Sequence, residues 1–121
     1  MLTLYYWMTP NGRKPLIMLE ELGIPYQATP VNLRAREQFA PEFLALNPNG
    51  KIPVLVDDRD DADRPMVLSE SGVILQWLAE REGRFLPAAG RARWEALQWL
   101  QFQMAAIGPI LGQAHHFLGR T

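Results

Sequence analysis

Cysteine is absent from the chain of 121 residues. That absence excludes disulfides, thiolate metal sites and every mechanism in which a protein cysteine is the nucleophile. If sulfur chemistry takes place here, a ligand has to bring the thiol. A cysteine-free chain also suits a reducing compartment, so a cytoplasmic location is expected. An excess of one charge is missing too. The 12 basic residues, mostly arginine and scattered, face 13 acidic ones. No Lys/Arg run offers a footing for nucleic acid or for an anionic membrane. No stretch approaches the ~20 apolar residues that span a bilayer. The apolar opening from Met1 to Trp7 is too short and too uncharged for an export signal. Internal repeats and low-complexity tracts are lacking as well.

What is present is an ordinary globular composition, 48% apolar, in a length that fills one core but not two. Leu2 to Trp7 has the composition of a buried strand. Thr9-Pro10-Asn11-Gly12 is turn chemistry. Leu16, Ile17, Leu19 and Leu22 predict a helix from Lys14 to Leu22, stopped by Gly23 and Pro25. Tyr26 to Leu33 is a second strand, and Pro30 inside it argues for a sheet edge. A strand, helix, strand order implies a parallel pair with a right-handed crossover. A short helix follows from Pro41 to Leu46, ended by Asn47-Pro48-Asn49-Gly50. Lys51 to Val56 and Met66 to Leu68 form an antiparallel pair around the charged loop Asp57 to Arg64. Ser69 to Glu82 is a helix with Ile74, Trp77 and Leu78 on one face. The pattern is β-α-β, short helix, β-β-α: an α/β fold of thioredoxin-like order. Residues 1–83 form this domain, 84–90 a linker, and 91–121 the beginning of an all-α domain with Trp94, Trp99 and Phe102. Gly108-Pro109 is expected to kink or end its helix.

Three segments carry chemistry. The first is Asn49-Gly50-Lys51-Ile52-Pro53-Val54-Leu55. A trans proline blunting a strand start would explain Pro53 alone. A cis bond, which costs an X-Pro pair only ~0.5–1 kcal/mol, would turn the N–H and C=O of Ile52 toward a peptide-like ligand. The second is Ser69-Glu70-Ser71-Gly72 at a helix N-terminus, where unpaired N–H groups favour a carboxylate. Ser71 can donate to that carboxylate and Glu70 can pair with an ammonium, so together they suit an amino acid end. A plain helix cap is the bland alternative. The third is Thr9-Pro10-Asn11-Gly12, whose hydroxyl and amide groups would favour a thiolate over a thiol; an ordinary turn is the alternative there. His115 and His116 are adjacent, point to different helix faces and lack a third ligand, so no metal is expected. Asp57, Asp58, Asp60, Asp61 and Asp63 lack the glycine and closing glutamate of a calcium loop. A solvated hairpin loop is expected there.

Together these motifs resemble the N-terminal domain of cytosolic glutathione transferases. Asn49 to Leu55 resembles the family's cis-proline strand. Leu68-Ser69-Glu70-Ser71-Gly72-Val73-Ile74 resembles its γ-glutamyl-binding motif. Thr9-Pro10-Asn11-Gly12 and Gly108 to Phe117 are similar to the bacterial Nu class, which includes glutathione-dependent disulfide-bond oxidoreductases. The resemblance implies glutathione as bound co-substrate, no metal, and small disulfides or electrophiles as substrates. It implies Glu70 and Ser71 at the γ-glutamyl end, Ile52 and Pro53 at the cysteinyl backbone, and Lys51 with Gln38 near the glycyl carboxylate. Thr9 and Asn11 would face the sulfur, with Tyr6 as a lesser rival. The intact protein would be a homodimer, with no nucleic-acid or membrane partner. Only the start of the family's helical domain is recognisable, so the short chain alone is expected to be a weak or inactive enzyme. The alternative is a non-catalytic binding or regulatory module of the same fold.

Overall fold

The computed structural model describes residues 1–119, in two compact units, residues 1–82 and the segment from Gly83 on. In the first, β1 (Leu2–Tyr6), α1 (Pro10–Leu22) and β2 (Gln27–Pro30) form a parallel βαβ unit. A 3-10 turn (Glu37–Phe39) and α2 (Pro41–Leu46) lead to β3 (Val54–Asp57), β4 (Met66–Ser69) and α3 (Ser71–Glu82). The sheet order is β2-β1-β3-β4, with β3 antiparallel to both neighbours. Pro30 thus lies in an edge strand, where its missing N–H breaks no inner ladder. This is the thioredoxin-like arrangement.

The alternation of β1 assigns its two faces. Leu2 and Leu4 are buried with Leu55 against Leu19 and Leu22 of α1 and Ile74 and Leu78 of α3, and Tyr6 packs beside them. Tyr5 joins Val31, Phe43 and Val54 in a second cluster. Truncating a fully buried leucine such as Leu4 or Leu19 to alanine should cost about 2–5 kcal/mol.

Several boundaries differ from the sequence expectations. The first helix starts at Pro10, not Lys14. Thr9 is its N-cap and Pro10 its first residue, so the supposed turn is the cap and first turn of a helix. Proline suits that position because its absent N–H would be unpaired there anyway. Pro15 lies inside α1, fully buried; it deprives the Asn11 carbonyl of its helical donor, yet it is close enough to the start for the helix to continue. The last helix of the unit starts at Ser71, because Glu70 has a positive φ of 72° that ends the extended strand without entering the helix. β3 starts only at Val54 and closes on Asp57.

Asp57 is also a correction to the solvated acidic loop. Its side chain is 2% exposed. It receives two hydrogen bonds from the Arg59 guanidinium at 2.8 Å and one from the Trp77 indole at 3.1 Å. Arg59 reaches on to Glu82 at 2.8 Å, and Arg81 holds Asp60 through two contacts of 2.6 Å. The loop is therefore clipped to α3. The cause is pairing: carboxylates spaced among arginines find partners once strand and helix pack together. The Arg59 pair holds the Asp57 carboxyl well below its usual range, against the opposing effect of burial.

In the second unit, α4 (Gly90–Phe102) passes through a π-helical turn (Gln103–Ile107) into α5 (Gly108–Leu118). Gly108-Pro109 therefore does not end the helix. Pro109 offers no N–H to the preceding turn, and the wider π turn accommodates the missing bond. Trp94 and Trp99 are each 69% exposed, so these residues are not core within the described chain. No helix among the described residues is long and apolar enough to cross a membrane.

Candidate functional site

The strand register brings the predicted segments to one end of the sheet. Tyr5 pairs with Val54, and Val54 with Ser69, so one row crosses β1, β3 and β4. Beyond that row lie the exit of β1 (Trp7 to Thr9), the approach to β3 (Lys51 to Pro53) and the exit of β4 (Glu70, Ser71). β2 ends there too, since the Val31 N–H donates to the Tyr6 carbonyl at 2.7 Å. Ligands of open α/β sheets bind outside the carboxyl ends of parallel strands, as β1, β2 and β4 are here.

Thr9 and Asn11 stand at the start of α1. The Thr9 hydroxyl accepts from the Gly12 N–H at 3.2 Å, and the Thr9 carbonyl accepts from the Arg13 N–H at 2.9 Å. The hydroxyl thus spends acceptor capacity on the cap and keeps its proton to donate. Pro10, the first helical residue, has no N–H to donate. Asn11 is exposed. Gly12 is buried against the Trp7 carbonyl, which also accepts from the Thr9 N–H at 2.7 Å. Its role is close approach, which its position in an apparent turn did not reveal.

Gly50, which precedes Lys51, runs close beside Gln38 and Phe39. A Cβ on Gly50 (φ 64°) would lie 3.3 Å from the Phe39 ring and 3.4 Å from the Gln38 carbonyl. The segment after β2 therefore packs directly beside Gly50. The Gln38 side-chain oxygen is buried without a hydrogen-bond partner among the described residues. Lys51 is exposed. One organiser was missed from sequence: Asn47, 7% exposed. Its amide donates to the Lys51 carbonyl at 2.8 Å and its side-chain oxygen accepts from the Asn49 N–H at 3.1 Å. Asn before Pro-Asn-Gly is a known local turn former, and that signal could have singled it out.

The Ile52–Pro53 bond is cis. Pairing of β3 begins at Val54, so the N–H and C=O of Ile52 take no part in the sheet. Across the strand pair, the exposed Glu70 precedes the buried Ser71, the first residue of α3. The Glu70 carbonyl accepts from the Ile74 N–H at 3.0 Å, which closes the first turn of the helix. A non-glycine residue at φ 72° is uncommon and concentrates at functional sites. Tyr6, the last residue of β1, is half-buried at the same sheet end, its ring packed against the core cluster. The nearby Tyr26 phenol donates to Glu20 and is pushed up to about 12, chiefly by that bond and slightly by Tyr6.

The arrangement offers a hydroxyl and an amide at one helix start, a carboxylate and a hydroxyl at another, free strand-like backbone between them, and a lysine at the rim. That set can hold a short zwitterionic peptide in extended form and stabilise a thiolate within it. Among the described residues, no group of three or more histidines, aspartates or glutamates could hold a metal.

Comparison with known proteins points the same way. Residues 9–81 match the family model for the glutathione S-transferase N-terminal domain. The disulfide-bond oxidoreductase YfcG of Escherichia coli is 48% identical over 97% of this chain and 55% of its own length. A glutathione transferase family member from Pseudomonas fluorescens, solved with two glutathiones bound, superposes with a TM-score of 0.88 at 48% identity, over 93% of this chain and 49% of that one. A Pseudomonas putida glutathione transferase, solved with one glutathione disulfide per subunit, gives 0.87 at 47% identity, over 93% and 49%. The chain thus spans about half the length of the relatives it matches.

Proposed function

This chain belongs to the glutathione transferase family, and from that premise we propose that it is the glutathione-binding part of a glutathione-dependent disulfide reductase. The observation that carries the reading is the convergence of the Thr9, Lys51–Pro53 and Glu70–Ser71 segments on one end of the sheet. Glutathione lies extended across it. Its γ-glutamyl carboxylate meets the start of α3 and Ser71, and its ammonium meets Glu70. Its cysteinyl backbone pairs with Ile52 next to Pro53. Its glycyl carboxylate lies toward Lys51 and Gln38. Its sulfur sits under Thr9 and Asn11, whose hydroxyl and side-chain amide donors favour the thiolate.

The chemistry is thiolate–disulfide exchange. The bound thiolate attacks one sulfur of a small disulfide, forming a mixed disulfide and releasing the other half as a thiolate. A second glutathione thiolate attacks the glutathione sulfur of that mixed disulfide. The products are oxidised glutathione and two reduced thiols. No protein cysteine is needed, and none is present. A cytoplasmic location and a homodimer of the intact protein belong to the same reading, supported by family membership.

The test is the thiol of bound glutathione. In the complex its pKa should fall below the free-thiol range near ~8.5, and Thr9→Val and Asn11→Ala should each raise it again. Binding with an unshifted thiol and no reduction of a model disulfide by the intact protein would point to a non-catalytic module. No binding at all would end the reading.

A further inference from the structure

We propose that Arg36 is a second cation, alongside Lys51, for the C-terminal carboxylate of the bound tripeptide, so that this end of the site selects ligands charged there. The inference rests on the glutathione reading above. It starts from backbone geometry: Arg36 has a φ of 61°, a conformation that favours glycine. The position is nevertheless held on both sides. The Arg36 N–H donates to the Leu33 carbonyl at 3.2 Å, and the Arg36 carbonyl accepts from the Phe39 N–H at 3.1 Å. A non-glycine residue kept in such a conformation is a reason to look for a task for its side chain.

The side chain is placed by stacking. The Arg36 guanidinium lies over the Phe39 ring, 4.9 Å from its centroid. The edge of that ring is 3.3 Å from where a Cβ of Gly50 would stand, and Gly50 precedes Lys51. One aromatic ring therefore links the arginine to the lysine end of the site, next to Gln38. A stacked guanidinium keeps its N–H edge for planar anions, which carboxylates match. The adjacent Glu37 carboxylate accepts from the Asn32 N–H at 2.9 Å, and among the described residues it forms no ion pair with Arg36.

The distribution of pairs strengthens the case. At the opposite end of the sheet Arg59, Arg64 and Arg81 all hold carboxylates. Among the described residues neither Arg36 nor Lys51 has such a partner. An anionic ligand would supply Arg36 and Lys51 with the counter-charge.

The experiment titrates the chain calorimetrically with glutathione and with its ethyl ester at the glycyl carboxylate. Arg36→Gly should fold at least as well as the parent, since glycine is at ease at that φ. It should bind glutathione about fivefold more weakly, the scale of one partly exposed ion pair, while its affinity for the ester stays that of the parent. Arg36→Lys should fall between the two for glutathione. Unchanged glutathione affinity in Arg36→Gly overturns the inference, as does an equal loss for both ligands, which would mean a loop effect without charge recognition. If the parent binds neither ligand, the glutathione reading fails and the inference with it.

Discussion

Gly12 stands so close to the Trp7 carbonyl that a Cβ added to it would lie 2.1 Å from the oxygen. No side-chain movement can relieve that approach, because the obstacle is backbone. The same carbonyl accepts from the Thr9 N–H, and the Gly12 N–H in turn caps onto the Thr9 hydroxyl. Gly12→Ala should therefore push the start of α1 away from β1. The expected loss is about 1–3 kcal/mol, read as a lower urea midpoint. Glutathione binding should weaken beyond what stability explains, since Thr9 and Asn11 move with the cap.

At Glu70 stability and binding should separate. Its φ of 72° suits glycine. Glu70→Gly should melt higher, by about 0.5–1 kcal/mol, yet lose the carboxylate proposed to hold the ligand ammonium. Glu70→Gln should leave stability near the parent and still weaken binding. A glycine variant with parental affinity for glutathione would remove Glu70 from the site.

Asn47 acts through the chain it braces. Its amide holds the Lys51 carbonyl at 2.8 Å from a nearly closed environment. Asn47→Asp replaces the donor by a carboxylate facing that carbonyl. It should cost about 1–3 kcal/mol and lower glutathione affinity by displacing Lys51 and Ile52. Asn47→Ala should share the second effect. Denaturant titrations and ligand titrations on both variants measure the two losses separately.

Asp57 predicts the acid limit of the fold. Its carboxyl is held below the usual range, first by the Arg59 hydrogen bonds. A depressed folded pKa contributes stability above the unfolded pKa, near ~3.9. That contribution is lost as pH falls from about 5 toward the folded value. Asp57→Asn should destabilise by about 3 kcal/mol at neutral pH, near the low end for a broken buried pair. It should also flatten the fall in stability below about pH 4. Urea midpoints across the acid range, parent against variant, give both quantities.

The order of strands and helices was legible because periodic apolar residues and stop signals act locally. Leu16, Leu19 and Leu22 reveal a helix without reference to anything outside it, and Pro30 announces an edge. Helix starts were harder. Thr-Pro reads equally as turn or cap until the next residues fold, and Glu70 gives no hint of its positive φ. The candidate residues Thr9, Asn11, Gln38, Lys51, Ile52, Pro53, Glu70 and Ser71 were chosen by motif and family resemblance; the register then puts the segments of all but Gln38 at one sheet end. Asn47, Arg36 and the paired Asp57 were not chosen.

Local chemistry alone was enough for the element order, the exclusion of protein-thiol catalysis and the short motifs that resemble one family. The packed chain was needed to show that Gly12 serves close approach, that Phe39 joins Arg36 to Gly50, and that Asp57 is buried in an ion pair. The reason is range. Propensity and periodicity act between neighbours a few residues apart, whereas contacts between residues distant along the chain exist only after the strands have paired.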